Sequence, residues 1–378
     1  MDYKTKYKLK DTYFISTNEN RIQFGDEPGF SFEIEDDTGF FKEFIEKLNG
    51  ENSVLDIKAQ LSSKYPEITE QFIEEVIQDL DKNFLITIDR PEEMVTEARH
   101  VSNLNFFENF SNIESNSKAL LNRIRNIKVG IIGLGGLGST LLTQLAGIGC
   151  SDIYVIEPDS VEEKNLNRQF LYKTKDIGRS KATVAKENIY SLNPDIKVST
   201  KILEVTSTQD LINNLPNDID LLICAADQPL LKIQLWCNQY CLIKNIPLIT
   251  GGLGCTQGHF LTIIPEETPC LECFYHNLIK DNHVKNTLKQ LMNFNNKNAA
   301  LGNSINLIAS SIMTEIIRMF SLKLPPISLG RRVFIDFINL SYNYEDSWVK
   351  EEACNCNKKN SLPLKTILEE MEGDLIEI

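Results

Sequence analysis

Lys128-Val129-Gly130-Ile131-Ile132-Gly133-Leu134-Gly135-Gly136-Leu137-Gly138-Ser139 is the stretch that decides the fold. Val129 to Ile132 is an apolar run suited to a buried strand. It breaks into the glycines Gly133, Gly135, Gly136 and Gly138, then restarts as a helical pattern from Leu141 to Leu145. A strand, a glycine turn and a helix in that order let backbone N–H groups approach a phosphate closely. The positive end of the helix dipole faces the same anion. Alone, such a loop says only that a nucleotide can bind.

From residue 126 onward strand and helix patterns alternate, which predicts an α/β domain with a Rossmann-like, mostly parallel sheet. Ile153–Glu157, Lys197–Ile202, Asp220–Ala225, Pro247–Thr250 and His259–Ile264 read as its further strands. Leu230–Leu242 and Ile305–Phe320 read as helices, and the polar, Asn-rich residues 275–300 as a mobile loop.

Residues 1–90 read as a separate, small α+β domain. Short strand-like runs at 12–16, 21–24 and 31–35 precede three helical patterns around Phe40–Leu48, Val54–Leu61 and Phe72–Leu80, and Phe84–Ile88 closes the unit as a strand. That order suggests a winged-helix shape. The unit holds 11 Lys/Arg against 20 Asp/Glu, a net of −9, so its field repels a phosphate backbone. A peptide laid along a strand edge is the better expectation, with a purely structural cap as the alternative. Residues 91–125 read as a linker and helix, and 126–357 as the main domain. The tail, 358–378, carries a helical apolar pattern at Leu364, Ile367, Leu368 and Met371.

With 378 residues and a net charge of −14, the chain is poorly suited to a nucleic-acid surface. It has no run of about 18 apolar residues for a membrane span and no apolar core of a signal peptide near Met1, so a cytoplasmic location is expected. Of the nine cysteines, Cys150, Cys224, Cys237, Cys241 and Cys255 read as small core residues. His259, His276 and His283 read as ordinary loop or surface residues. The other four cysteines form two tight pairs, Cys270-Leu-Glu-Cys273 and Cys354-Asn-Cys356. Four thiolates suit tetrahedral Zn²⁺, and with every position filled by protein the metal is structural.

Glu157 ends the second strand about 20 residues after the glycine loop, where an acid holds ribose hydroxyls. Asp159, Asn165, Arg168, Gln169 and Lys181 follow closely. Two fixed cations near the phosphates suit a triphosphate, whose leaving pyrophosphate is highly charged, better than a redox dinucleotide. Asp227 closes the run Cys224-Ala-Ala-Asp227 at the carboxyl end of a strand, and a carboxylate facing phosphates implies a bridging Mg²⁺.

These residues together resemble the ThiF/MoeB and ubiquitin-activating adenylating superfamily over about residues 120–357. Within it, Ala226-Asp227-Gln-Pro, Trp236-Cys-Asn-Gln-Tyr240 and Pro269-Cys270-Leu-Glu-Cys273 look most like the peptide-modifying branch typified by the microcin C adenylating enzyme. That branch also carries an N-terminal leader-recognition domain. The resemblance implies a homodimer that binds Mg-ATP and adenylates a carboxylate on a short precursor peptide. It places Gly135 and Gly136 against the nucleotide, Glu157 on the ribose, Asn165, Arg168 and Lys181 on the phosphates, and Asp227 on Mg²⁺. In the microcin-like case an internal amide of the peptide then attacks, giving a peptidyl-nucleotide linkage. A leader-binding scaffold without ATP chemistry and a sulfur-carrier-protein adenylyltransferase are the alternatives. Where the family often has Arg-x-x-Arg, this chain has Arg99-His-Val-Ser102, without the second arginine that reaches the partner subunit's site. Residues 274–353 hold no cysteine, which excludes thioester chemistry from that loop; Cys255 is the weak substitute.

Overall fold

A computed structural model describes residues 3–18, 20–28, 31–88, 98–292, 299–352, 354 and 356. The chain divides into two compact units, residues 1–123 and 124–378. The tail 358–378 and linker residues 91–97 lie outside the described residues.

The first unit runs β1 (Lys6–Leu9), β2 (Ile15–Asn18), β3 (Arg21–Phe24), β4 (Phe32–Glu35), α1 (Phe40–Lys47), β5 (Asn49–Ser53), α2 (Val54–Leu61), α3 (Glu70–Lys82), β6 (Ile86–Ile88) and α4 (Val101–Glu108). Its strands form two three-stranded antiparallel sheets, β5-β1-β6 and β2-β3-β4. Ile73, Val76, Ile77 and Leu80 recur at helical spacing along α3 and are buried, together with Phe44, Ile57 and Ile22. Helix starts are fixed locally: Ser53 and Asp56 form a capping box on α2, and Thr69 Oγ1 accepts from Phe72 N at 3.1 Å on α3. Two strands escape a reading by hydrophobic pattern. β1 alternates Lys6 and Lys8 with a buried Tyr7, and β5, Asn49-Gly-Glu-Asn-Ser53, has no apolar residue and is held through its backbone pairing to β1.

Lys10 follows β1 and is 3% exposed. Its ammonium donates to the carbonyls of Glu108 at 2.7 Å and Ser111 at 2.6 Å, closing the C-terminal end of α4. Burial pushes its pKa down to about 8, against the opposing pull of Glu108 and Asp81.

The second unit begins within α5 (Ser117–Arg125). It continues through β7 (Lys128–Ile132), α6 (Gly136–Ile148), β8 (Asp152–Ile156), α7 (Lys181–Leu192), β9 (Lys197–Lys201), α8 (Thr208–Asn214), β10 (Leu221–Cys224), α9 (Lys232–Lys244), β11 (Leu248–Leu253), β12 (Gln257–Ile263), α10 (Leu271–Leu278), α11 (Asn282–Met292), α12 (Gly302–Ile316), β13 (Arg332–Asp336) and β14 (Ser341–Tyr344). One eight-stranded sheet has the order β14-β13-β12-β11-β10-β7-β8-β9. β11, β10, β7, β8 and β9 run parallel, and β12, β13 and β14 continue it antiparallel. The expected Rossmann-like α/β fold is present.

Three local expectations change. Residues 275–278 and 282–292 are helical, in α10 and α11, and only the short turn 279–281 separates them. Asp281 Oδ1 accepts from His283 N at 2.8 Å and caps α11, a start signal obscured by the surrounding asparagines. Cys255 is exposed, because Gly254-Cys255-Thr256 forms the tight turn between β11 and β12, closed by Gly254 N to Gln257 O at 2.8 Å. His259 lies within β12 against Phe334, ring centroids 5.8 Å apart. Loss of solvent and the nearby Arg332 push its imidazole down to about 4.

Lys10→Met removes both bonds to the α4 carbonyls and is expected to weaken the first unit by about 1–3 kcal/mol near neutral pH. The folded chain holds the Lys10 proton less tightly than the unfolded one. From about pH 8 up to the ordinary lysine range, wild type therefore gains stability with rising pH, and Lys10→Met lacks that gain. Urea denaturation of both proteins at about pH 7 and about pH 9.5 measures this, and a gap that does not widen refutes the assignment.

Candidate nucleotide site

β7 and β10 are neighbours, yet the chain reaches β10 only after laying β8 and β9 on the other side of β7. The sheet order reverses there, and the carboxyl ends of the two strands open into a crevice, the place where parallel sheets take ligands. Gly133 ends β7 with φ +91°, and a Cβ on it would lie 2.9 Å from Ala226, which follows β10. Ala225 N donates to Ile132 O at 2.9 Å and pins the two strand ends together. A Cβ on Gly138 would fall 1.9 Å from Gly133 O, so α6 can start under the loop only without a side chain there. On Gly136 it would meet Ile305 of α12 at 2.4 Å. Gly135 differs: nothing lies within 4 Å of its Cβ position. It is the N-cap of α6 and has no side chain to satisfy the first N–H groups, which leaves them for an anion.

The acid at the end of β8 is turned inward. Glu157 is 3% exposed; one oxygen accepts from Leu134 N and the other from Asp159 N at 2.8 Å. In this structure it braces the glycine loop, where the sequence had suggested a ribose contact. Asp159 is exposed and pairs with Lys181, Oδ2 to Nζ at 2.9 Å. Lys181 begins α7, is 4% exposed and also donates its backbone N–H to Asp159 O at 2.9 Å. A chain of contacts thus runs from Leu134 in the loop through Glu157 and Asp159 to the Lys181 ammonium.

Asn165, 4% exposed, spends Oδ1 on Glu162 N at 2.9 Å, and its carbonyl accepts from Arg168 N and Gln169 N. This turn ends at Tyr172, whose buried hydroxyl donates to Leu134 O at 3.1 Å. Tyr172 thereby docks the turn on the glycine loop, a role that no motif spacing announced. Arg168 is partly exposed and donates to Lys164 O and Asn167 Oδ1, so its guanidinium stays at the surface. Gln169 is 2% exposed, and its Oε1 has no hydrogen-bond partner. Asp227 is exposed, one residue beyond Ala226 at the crevice. The structure therefore brings Gly133, Gly135, Gly136, Gly138, Glu157, Asp159, Lys181 and Asp227 to one strand-end crevice, with Asn165, Arg168 and Gln169 on the turn docked beside it. Arg99 lies in a short 3₁₀ turn, Ala98–His100, of the other unit.

Cys270, Cys273, Cys354 and Cys356 converge elsewhere in the same unit. Their sulfurs all lie within 4.8 Å of one another, with Cys270–Cys273 at 3.9 Å, Cys270–Cys354 at 3.5 Å and Cys273–Cys356 at 3.4 Å. Four sulfurs at about 2.3 Å from a tetrahedral zinc are about 3.8 Å apart, so the cluster fits that ion. Hydrogen bonds from Cys270, Cys354 and Cys356 hold Cys273 far below the usual thiol range, and Glu351 N donates to the same sulfur at 3.4 Å. The tighter Cys-x-Cys pair reaches the cluster as readily as the Cys-x-x-Cys pair.

Residues 108–358 match the ThiF family. The chain belongs to that family. It is 26% identical over 320 residues to the adenylyltransferase and sulfurtransferase UBA4 of Meyerozyma guilliermondii, which covers 83% of this chain and 66% of that protein. The chain spans 16% to 66% of the length of the curated relatives it matches. Among solved structures it resembles E. coli MccB with ATP, at TM-score 0.75 and 23% identity over 93% of this chain and 99% of that one. It also resembles the microcin C7 biosynthetic enzyme MccB in complex with N-formylated MccA, at TM-score 0.74 and 22% identity over 93% and 99%. These structures share its fold. The matched residues 108–358 contain the whole crevice at β7 and β10.

Two outcomes test this geometry. Gly138→Ala is expected to lower the thermal midpoint by several degrees, since backbone must move, while Gly135→Ala leaves it within about a degree. Equal effects in a thermal-shift assay contradict the placement. Metal analysis of the purified chain is expected to find about one zinc per chain, with Cys273→Ser lowering that content sharply. Full occupancy in Cys273→Ser rules the cluster out as the zinc site.

Proposed function

We propose that this chain is an adenylyltransferase that uses Mg-ATP to activate a carboxylate on a ribosomally made peptide, acting as a homodimer. The observation that carries the reading is Lys181. A lysine 4% exposed is held beside the glycine loop through Asp159 and Glu157, and an ammonium paired with a carboxylate at that depth suits a polyphosphate better than a dinucleotide. Four structural features support it: an uncapped helix start at Gly135, the Arg168 guanidinium near the rim, an unpartnered Gln169 oxygen, and Asp227 at the mouth.

On this reading the backbone of Gly135, Gly136 and Gly138 meets the phosphates at the start of α6, with Lys181, Arg168, Asn165 and Gln169 around them. Asp159 and Glu157 border the ribose side. Asp227 would hold Mg²⁺, which supplies charge neutralisation between carboxylate and phosphates. A peptide carboxylate oxygen attacks the α-phosphorus; the bond to the β-phosphate oxygen breaks, and pyrophosphate leaves with that electron pair. The protein positions the groups and offsets the charge that gathers on the departing oxygens. The four cysteines would carry structural zinc. MccB, which shares the fold, has been solved with ATP and with MccA, and this supports a peptide as the second substrate. The acidic first unit would grip that peptide along a strand edge.

A sulfur-carrier-protein substrate is the second reading, favoured by a 32% identity over 158 residues to the sulfur carrier protein adenylyltransferase of Thermus thermophilus. Peptide-dependent ATP–pyrophosphate exchange separates the two, with the product of a short reading frame next to this gene as the first peptide to try. Exchange is expected, and Lys181→Ala and Asp227→Ala should each lower it by roughly 100-fold or more with little change in thermal midpoint. Exchange with a ubiquitin-like carrier protein and not with peptide would establish the second reading. No exchange with either, together with an Asp227→Ala chain that still supports its pathway, would establish a binding scaffold.

A further inference from the structure

Charge in the first unit is segregated by strand. Residues 15–37, which span β2, β3 and β4, hold one basic residue, Arg21, against seven acidic ones, so they account for −6 of the −9 in residues 1–90. Lys4, Lys6, Lys8 and Lys10 cluster on and around β1, in the other sheet. Arg21 is already engaged, with Nη1 at 3.2 Å from Glu33.

Each small sheet leaves two edges without a strand partner among the described residues, and these edges differ in chemistry. β2 offers Ile15, Ser16, Thr17 and Asn18, with no charge; β6 offers Ile86, Thr87 and Ile88, also uncharged; β5 carries Glu51 alone. β4 is Phe32-Glu33-Ile34-Glu35, with exposed acids alternating with half-buried apolar residues. Asp37 beyond its end and Asp26 and Glu27 before it are exposed too. Its register with β3 pairs Glu35 with Arg21, Ile34 with Ile22, Glu33 with Gln23 and Phe32 with Phe24, and Asp36 N donates to Asn20 O at 2.9 Å. Antiparallel pairs alternate between bonded and non-bonded, so Ile34 and Phe32 bond to β3, while the backbone groups of Glu33 and Glu35 are directed at the open edge.

We propose that the β4 edge takes a cationic peptide as an added strand, with Lys or Arg at positions i and i+2 opposite Glu33 and Glu35 and apolar residues between. This rests on the peptide-docking reading given above and specifies the chemistry of the occupant. A strand bonded to Glu33 and Glu35 has the side chains opposite them on the same sheet face as the two carboxylates, at the spacing where opposite charges attract and like charges repel. Its intervening residues fall beside Phe32 and Ile34.

The test pans a phage library of random peptides of about 12 residues against the immobilised full-length chain, then measures the best synthetic peptide by fluorescence polarisation. Enriched peptides are expected to carry the alternate Lys/Arg pattern. Glu33→Lys/Glu35→Lys should weaken the best one by about tenfold or more, and a Glu-for-Lys copy of it should bind the double variant better than wild type. Glu35→Lys alone, which keeps the Arg21–Glu33 pair, should show the same direction if the double variant fails to fold. Asp195→Lys/Glu204→Lys, an equal charge change in the other unit, should leave affinity unchanged. Enriched peptides without the basic pattern, or equal weakening by both double variants, overturn the proposal and leave peptide docking standing. Enrichment of nothing above bare support removes both.

Discussion

Gly138 lies so close beneath Gly133 that no side chain can stand between them, and the geometry of the crevice follows from that approach. Because α6 starts directly under the end of β7, its first N–H groups arrive unsatisfied at the point where the sheet order reverses. Ala225 and Ala226 close the other wall with the smallest side chains available, so the same closeness that forbids a Cβ at Gly133 sets Asp227 at the mouth. Glu157 and Tyr172 both hold Leu134, one through its N–H and one through its carbonyl. A loop of glycines would otherwise lose its shape to backbone entropy. The bracing lets four flexible residues present a fixed surface.

On the proposed reading, a chain of net charge −14 has to solve an electrostatic problem locally to accept a polyphosphate. Lys181 illustrates the solution. Its ammonium lies in the interior and is paired there with the Asp159 carboxylate at 2.9 Å. Asp159 is exposed while Lys181 is not, so the acid can turn toward water and the lysine cannot. On the proposed reading an arriving phosphate takes over the ammonium without any need to rebuild the site. The acids of the first unit are a separate field, concentrated on strands far from Lys181 in sequence.

Much of this was legible in the residues because it depends on local chemistry. The glycine loop, the strands from Val129 to Ile264 and the helix from Ile305 all follow from apolar runs and punctuation, and the four cysteines from spacing and softness. What was not legible depends on partners distant in sequence. β1 and β5 exist because each backbone satisfies the other, whatever their side chains. β13 and β14 complete the sheet through β12, and Tyr172 matters only because the turn from Asn165 folds back onto Leu134. Glu157 shows the limit most plainly: its place at the end of β8 was readable, but the inward turn of its carboxylate depends on two N–H groups that only the folded loop supplies.

The cysteine cluster joins Cys354 and Cys356 to the start of α10, but sulfur is only half of that clasp. Phe274, one residue after Cys273, stacks on Trp348 with centroids 4.3 Å apart. Arg332 of β13 lies 4.6 Å over the Phe274 ring and pairs with Glu345 through Nε at 2.9 Å, while Trp348 Nε1 reaches the same carboxylate at 3.4 Å. An arginine paired with a carboxylate and stacked on an aromatic face keeps its charge satisfied while excluding water, which a lysine could not do in the same plane. The antiparallel end of the sheet is therefore fastened to α10 by an aromatic and ionic contact as well as by four thiols. A metal in that cluster would tighten an arrangement that the aromatic and ionic contacts already hold together.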